Sequence, residues 1–148
     1  MNLRNFTRED FAKYHPGGSL GKKLLLQVKD MIEHSLKPTV APDAPIKKVI
    51  LEISEKRLGA TAVVEEGKVI GVITDGDIRR MLNNNDTFTH LTAKDIMTQS
   101  PKIIQSSAMV VQALNILEDF SITQLVVVDN DEYKGVIHLH DILKEGIV

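Results

Sequence analysis

The sequence predicts an α/β fold of the α+β kind, built as two β-α-β-β-α units packed as a pseudo-twofold pair with a central cleft. Three observations predict it. Short motifs recur once along the chain. The Val/Ile-rich stretches are apolar on both faces, as in sheets covered by helices. Each pair of such stretches is joined by a two-residue turn signal, Glu66-Gly67 and then Asn130-Asp131.

The repeat is read first, because it sets the architecture. Asp30-Met31-Ile32 recurs as Asp95-Ile96-Met97, and Pro38-Thr39-Val40 as Pro101-Lys102-Ile103. Val63-Val64 recurs as Val126-Val127, Gly71-Val72-Ile73 as Gly135-Val136-Ile137, and Asp77-Ile78 as Asp141-Ile142. The expected divisions are residues 1–29, a junction segment, then unit one over 30–92 and unit two over 93–148. A unit of this size buries too little surface to stand alone, so two units should share a core.

Within unit one, an extended piece runs from Thr39 to Ala41. A helix follows, with Asp43 as N-cap and Pro45 in its first turn. Ile46, Val49, Ile50 and Ile53 form its apolar face, and Gly59 sits where a C-terminal glycine belongs. Strands are predicted at Thr61–Glu65 and Val69–Thr74, then a helix over Gly76–Asn83. Unit two repeats this plan. An extended piece spans Lys102–Gln105, and Ser106 or Ser107 caps a helix whose face is Val110, Ala113, Leu114 and Leu117. Strands follow at Gln124–Asp129 and Tyr133–His138, and a helix over His140–Glu145 closes the chain.

Composition removes several function classes. The chain of 148 residues is 43% hydrophobic and 26% charged, ordinary for a globular protein, and 4% aromatic, so its core is aliphatic. No apolar run is long enough to span a membrane, and the N-terminus lacks the apolar stretch of a signal peptide. A cytoplasmic protein without a membrane partner is expected. The absence of cysteine excludes disulfides and thiolate metal sites. Residues 1–94 carry 15 Lys/Arg against 12 Asp/Glu, and residues 95–148 carry 3 against 8. Neither part has the basic stripe that nucleic acid requires.

The densest cluster of short oxygen-bearing side chains is Thr74, Asp75 and Asp77, within GVITDGDIRR at a strand-to-helix turn. Thr74 or Asp75 can cap the helix, where acidic residues meet the positive end of its dipole. The same groups can hold a ligand: a carboxylate accepts from two vicinal hydroxyls, and N–H groups at a helix start meet a phosphate. His138, His140 and Asp141 form the equivalent turn of unit two. A cap, a phosphate or ribose contact and a metal site are all open there. A histidine in this place makes the site sensitive to pH near 6.5. Arg79 and Arg80 begin the second turn of their helix, either as a solvated face or as phosphate or sugar-acid contacts. The stretch HPGGSLGK, residues 15–22, fails as a phosphate loop, since three residues rather than four separate Gly17 from Gly21 and Lys23 replaces the hydroxyl residue. Gly17-Gly18 more simply ends the helix-like FTREDFAKY.

Tandem β-α-β-β-α units that each end Gly-Val-Ile-x-x-x-Asp-Ile resemble a pair of CBS domains, over residues 30–148. The stretches FTREDFAKYHPGGSLGKKLLLQVKDMI, TDGDIRRML and HLHDILKEGIV further resemble D-arabinose 5-phosphate isomerases, in which a sugar-isomerase domain precedes such a pair. That resemblance implies a regulatory piece of a longer enzyme feeding Kdo synthesis for lipopolysaccharide or capsule. It implies no required cofactor and no metal, but a nucleotide or nucleotide-sugar ligand, CMP-Kdo or AMP, ADP or ATP. It implies a homodimer, tetrameric in the intact enzyme together with the isomerase domain. By the same resemblance Thr74 and Asp77 would hold a ribose, and Thr39, Val40, Gly59, Ala60 and Thr61 of unit one, with Lys102, Ile103, Thr123 and Gln124 of unit two, would flank the cleft. For each of these, a place in the core is the alternative. His15 would be an acid/base that completes a neighbouring subunit's active site in the intact enzyme. The alternative function is a structural dimerisation module with a vestigial cleft.

Overall fold

The structure, a computed structural model, describes residues 25–32 and 36–146. His15, the helix expected from FTREDFAKY and the Gly17-Gly18 stop lie outside the described residues. The elements are α1 (Val28–Ile32), β1 (Thr39–Val40), α2 (Ile46–Lys56), β2 (Ala60–Glu65), β3 (Lys68–Thr74), α3 (Asp75–Asn84), α4 (Ala93–Ile96), β4 (Thr98–Gln99), β5 (Ile103–Ile104), α5 (Val110–Asp119), β6 (Gln124–Asp129), β7 (Glu132–His138) and α6 (Leu139–Lys144). The mixed α/β character and the doubled β-α-β-β-α order are as the sequence predicts.

The strands form two sheets, β1-β2-β3-β4 and β5-β6-β7. In each, the first strand runs parallel to the second, and the second and third form an antiparallel hairpin. The hairpin turns have two consecutive left-handed residues, Glu66 and Gly67 in one and Asn130 and Asp131 in the other, the backbone that matches strand twist. The spatial repeat is a constant 64 residues from β1 onward: Thr39 pairs with Ala62 as Ile103 pairs with Val126. Structurally, Thr39 therefore corresponds to Ile103 and not to Lys102, a one-residue correction to the motif alignment.

Both hairpins carry a bulge at the same place, between Val63 and Val64 and between Val127 and Val128. An extra residue flips the face of everything beyond it. Hence Tyr133 joins Val136, Ala62, Val126 and Val128 in the core between the two units. Leu125, Val127 and Ile137 face the opposite way, into the core of unit two. Each sheet is thus covered by helices on one face and by the other unit on the second.

Two helices start later than their caps predict. Asp43 does not cap α2; the N-cap is Pro45, at φ −67° and ψ 155°. Ala44 precedes a proline and is biased away from helix, and Pro45 is held extended by bridging Thr92. Neither Ser106 nor Ser107 caps α5, whose N-cap is Met109. Ser106 is drawn away: its backbone N–H and its hydroxyl both donate to the Asp129 carboxylate. At the other end of α2 the left-handed closing residue is Arg57, whose N–H reaches Ile53 O, rather than Gly59.

The leading helices exchange places. Val28 of α1 is fully buried in the core of unit two, with Gln27 bridging Met109. Ala93 of α4 is fully buried in the core of unit one, beside the Pro45–Thr92 bridge. Each helix crosses its host hairpin at a glycine. A Cβ on Gly71 would lie 2.5 Å from Met97 Sδ, and one on Gly135 would lie 3.7 Å from Ile32 Cδ1.

Candidate functional site

A cleft of about 680 Å³ opens between the units, within the range of small-ligand sites. Unit one contributes Gly59, Val72 and the β3–α3 turn through Arg80. The connection Thr98 to Lys102 forms one rim, and Ser121 to Gln124 with Val126 forms the far wall. His138 reaches the same cleft from unit two.

The β3–α3 turn is a capping box. Asp77 N–H donates to Thr74 Oγ1 at 3.3 Å. Asp77 Oδ2 accepts from Thr74 N–H at 2.9 Å and from the Thr74 hydroxyl at 3.2 Å. Its other oxygen, Oδ1, pairs with Arg80 Nη2 and accepts weakly from the Thr98 hydroxyl at 3.4 Å. Asp77 is only 7% exposed, whereas Arg80 is 67% exposed. Asp75 starts α3, exposed, with its N–H on Gly59 O at 3.1 Å. Gly59 is needed where it stands: its φ is +70°, and a Cβ would sit 2.7 Å from Gln124 Nε2. The Gln124 amide crosses the unit boundary to donate to Leu58 O at 3.2 Å. Lys102 holds its Nζ 4.1 Å from the centre of the Phe120 ring.

His138 takes the structural place of Thr74 and caps α6 through its ring. Nδ1 accepts from His140 N–H at 2.9 Å, which puts the proton of the neutral ring on Nε2. Burial holds the imidazole below its ordinary 6.5, opposed by Asp141 and assisted by His140. The His140 ring lies edge-on to it at 6.4 Å, exposed to solvent. Among the described residues no group of three His, Asp or Glu side chains is arranged to hold a metal.

Of the residues singled out from the sequence, Gly59, Thr74, Asp75, Asp77, Arg79, Arg80, Lys102, Thr123, Gln124 and His138 line this one cleft. His140 and Asp141 stand on α6 outside its lining, and Ile103 is half exposed on β5. Thr39 is exposed on β1, its N–H on Glu52 Oε2. Val40 is in the core of unit one, and Thr61 is fully buried with its hydroxyl on Ala62 O. Thr98, Ser100 and Ser121 are lining residues that the sequence reading missed. Arg80 was legible only as half of an Arg pair, although its i+3 spacing from Asp77 puts both on one helix face.

Comparison with known proteins follows the same halves. The CBS domain profile matches residues 28–84 and again 93–147. The chain is 40% identical over 150 residues to arabinose 5-phosphate isomerase KdsD of Yersinia pestis, an alignment that takes in 100% of this chain and 46% of that protein. It therefore spans just under half the length of the curated relatives it matches. The CBS domain of a membrane protein from Sphaerobacter thermophilus superposes with a TM-score of 0.74 at 20% identity, covering 89% of this chain and 94% of that one. A CBS domain protein from Pyrobaculum aerophilum complexed with AMP gives 0.72 at 19% identity, covering 83% and 100%. The chain belongs to the CBS domain family, as a tandem pair.

Proposed function

We propose that the chain is the regulatory nucleotide- or nucleotide-sugar-binding part of an arabinose 5-phosphate isomerase that serves Kdo formation for a surface polysaccharide in the cytoplasm. The inter-unit cleft carries this reading. Its β3–α3 turn offers a helix start of ten residues, three basic side chains surround it, and Val72, Val126 and Ile122 supply apolar wall. A ribose phosphate needs that set: hydroxyl acceptors, an anion site and a face for the base. The AMP of the Pyrobaculum neighbour and CMP-Kdo, the activated end product, share the ribose phosphate.

In this reading the chain itself performs no isomerisation. A ligand touching both units favours one arrangement of them, and that preference is what can bias an attached isomerase tetramer. His15 would act in a neighbouring subunit's isomerase site. The division into 1–29, 30–92 and 93–148 belongs to the same proposal.

The test is thermal unfolding with CMP-Kdo, CMP, AMP, ADP and ATP, where a ligand at 100 times its dissociation constant stabilises by about 2.7 kcal/mol. A chain of this size then shifts by roughly 5–10 °C. Selectivity for CMP-Kdo supports feedback by the end product, and selectivity for an adenine nucleotide supports energy sensing. One observation favours a second reading, a structural dimerisation module: Thr74 and Asp77 already satisfy one another. No shift with any of the five ligands selects that reading.

A further inference from the structure

Arg80 occupies an electrostatically odd position. A Cβ on Gly76 would lie 3.6 Å from Arg80 Nη1 and 3.5 Å from Thr74 Oγ1, so the guanidinium is folded back over the first turn of α3. That is the positive end of the helix dipole, where a cation is disfavoured. Asp77 Oδ1 is what holds it there. The arginine side of the pair is open to water, at 67% exposure, so the guanidinium loses little on leaving, whereas the Asp77 carboxylate, 7% exposed, needs a replacement donor. The other Asp77 oxygen is not exchangeable in this way, because it terminates the capping box on Thr74.

We propose that Arg80 is an exchangeable counter-ion of Asp77, so that the cleft selects ligands carrying both a hydroxyl and an anionic group. The inference rests on the cleft being a nucleotide site and names how it discriminates. A ligand's anionic group at the start of α3 draws the guanidinium off Asp77, meeting both the arginine and the helix N–H groups. Oδ1, left with the weak Thr98 contact alone, then accepts a ligand hydroxyl. A neutral nucleoside must displace the guanidinium and gives it nothing in return. An anion without hydroxyls leaves Oδ1 uncompensated. Lys102 is a poorer candidate for this exchange, because its charge already rests on the Phe120 ring.

The experiment is calorimetric titration of AMP, adenosine, CMP and cytidine into the wild-type chain, Arg80→Met and Arg80→Lys. In the wild type each nucleotide is expected to bind more tightly than its nucleoside. In Arg80→Met the nucleotides should weaken by about tenfold, the loss of one charge-assisted contact, while the nucleosides hold or tighten. Arg80→Lys should fall between the two. Nucleosides weakening in step with nucleotides, or a nucleotide-to-nucleoside ratio unchanged by Arg80→Met, overturns the exchange and leaves the cleft assignment standing. Absence of binding by all four to the wild type overturns this inference and leaves the cleft assignment to the unfolding test with the five ligands. An unfolding midpoint near wild type for Arg80→Met confirms that the comparison is between folded chains.

Discussion

Asp77 and Asp141 occupy equivalent places in the repeat, and their removal should have unequal effects. Asp77→Ala deletes the acceptor for both the N–H and the hydroxyl of Thr74. Loss of a cap interaction costs about 1 kcal/mol, and a partly buried N–H left without a partner adds roughly 1–2 kcal/mol. The sum is about 2–3 kcal/mol. Asp141 closes no capping box; the cap of α6 is His138 Nδ1 on His140 N–H. Asp141→Ala then removes little beyond a favourable charge at a helix start, about 0.3–1 kcal/mol. Urea unfolding of both variants, read as midpoint shifts at unchanged slope, measures the difference. Equal losses, within about 0.5 kcal/mol, would refute the account of α3 as held by its capping carboxylate.

Three further outcomes are expected. Gly59→Ala should cost about 2–3 kcal/mol, because a left-handed backbone and a Cβ 2.7 Å from Gln124 Nε2 act together, whereas Gly67→Ala, with nothing within 4 Å, should cost about 1 kcal/mol; paired thermal unfolding compares them. Burial depresses the His138 pKa below 6.5, so the unfolded chain takes up the proton first and stability falls as pH drops below that value. His138→Asn keeps a neutral cap and should flatten this acid-side decline in melts taken from neutral pH downward; an unchanged slope counts against it. Tyr133→Phe deletes a buried hydroxyl donating to Pro38 O at 2.6 Å, but that carbonyl still accepts from Ala62 N–H, so the loss should stay near 1–1.5 kcal/mol in a denaturant titration.

What the sequence exposes and what it hides divide by range along the chain. The strand Gln124–Asp129 and the α5 face of Val110, Ala113, Leu114 and Leu117 are read correctly, since turn residues and apolar spacing are local signals. The α3 cap is legible for the same reason: Thr74 and Asp77 are three residues apart. Ser106 misleads because its partner, Asp129, lies 23 residues away. Asp43 misleads because Pro45 answers to Thr92, far downstream. Around the cleft, Thr74, Asp75, Asp77 and His138 stand together, whereas His140 and Asp141, the other turn residues of unit two, lie outside the lining. Val40 and Thr61 show how an apolar or singly polar side chain gives no sign of which sheet face it takes.

The exchanged leading helices make the pair indivisible in a way its repeat does not suggest. A cut between residues 84 and 93 would separate the two profile matches cleanly, yet it would strip each half of a buried plug: unit one would lose Ala93, and unit two would lose Val28. Mechanical load would follow the same crossed path. A pull transmitted through the backbone at Leu25 meets the start of α5 in the distant unit, through Leu26 O on Val110 N–H and Val28 N–H on Ala108 O.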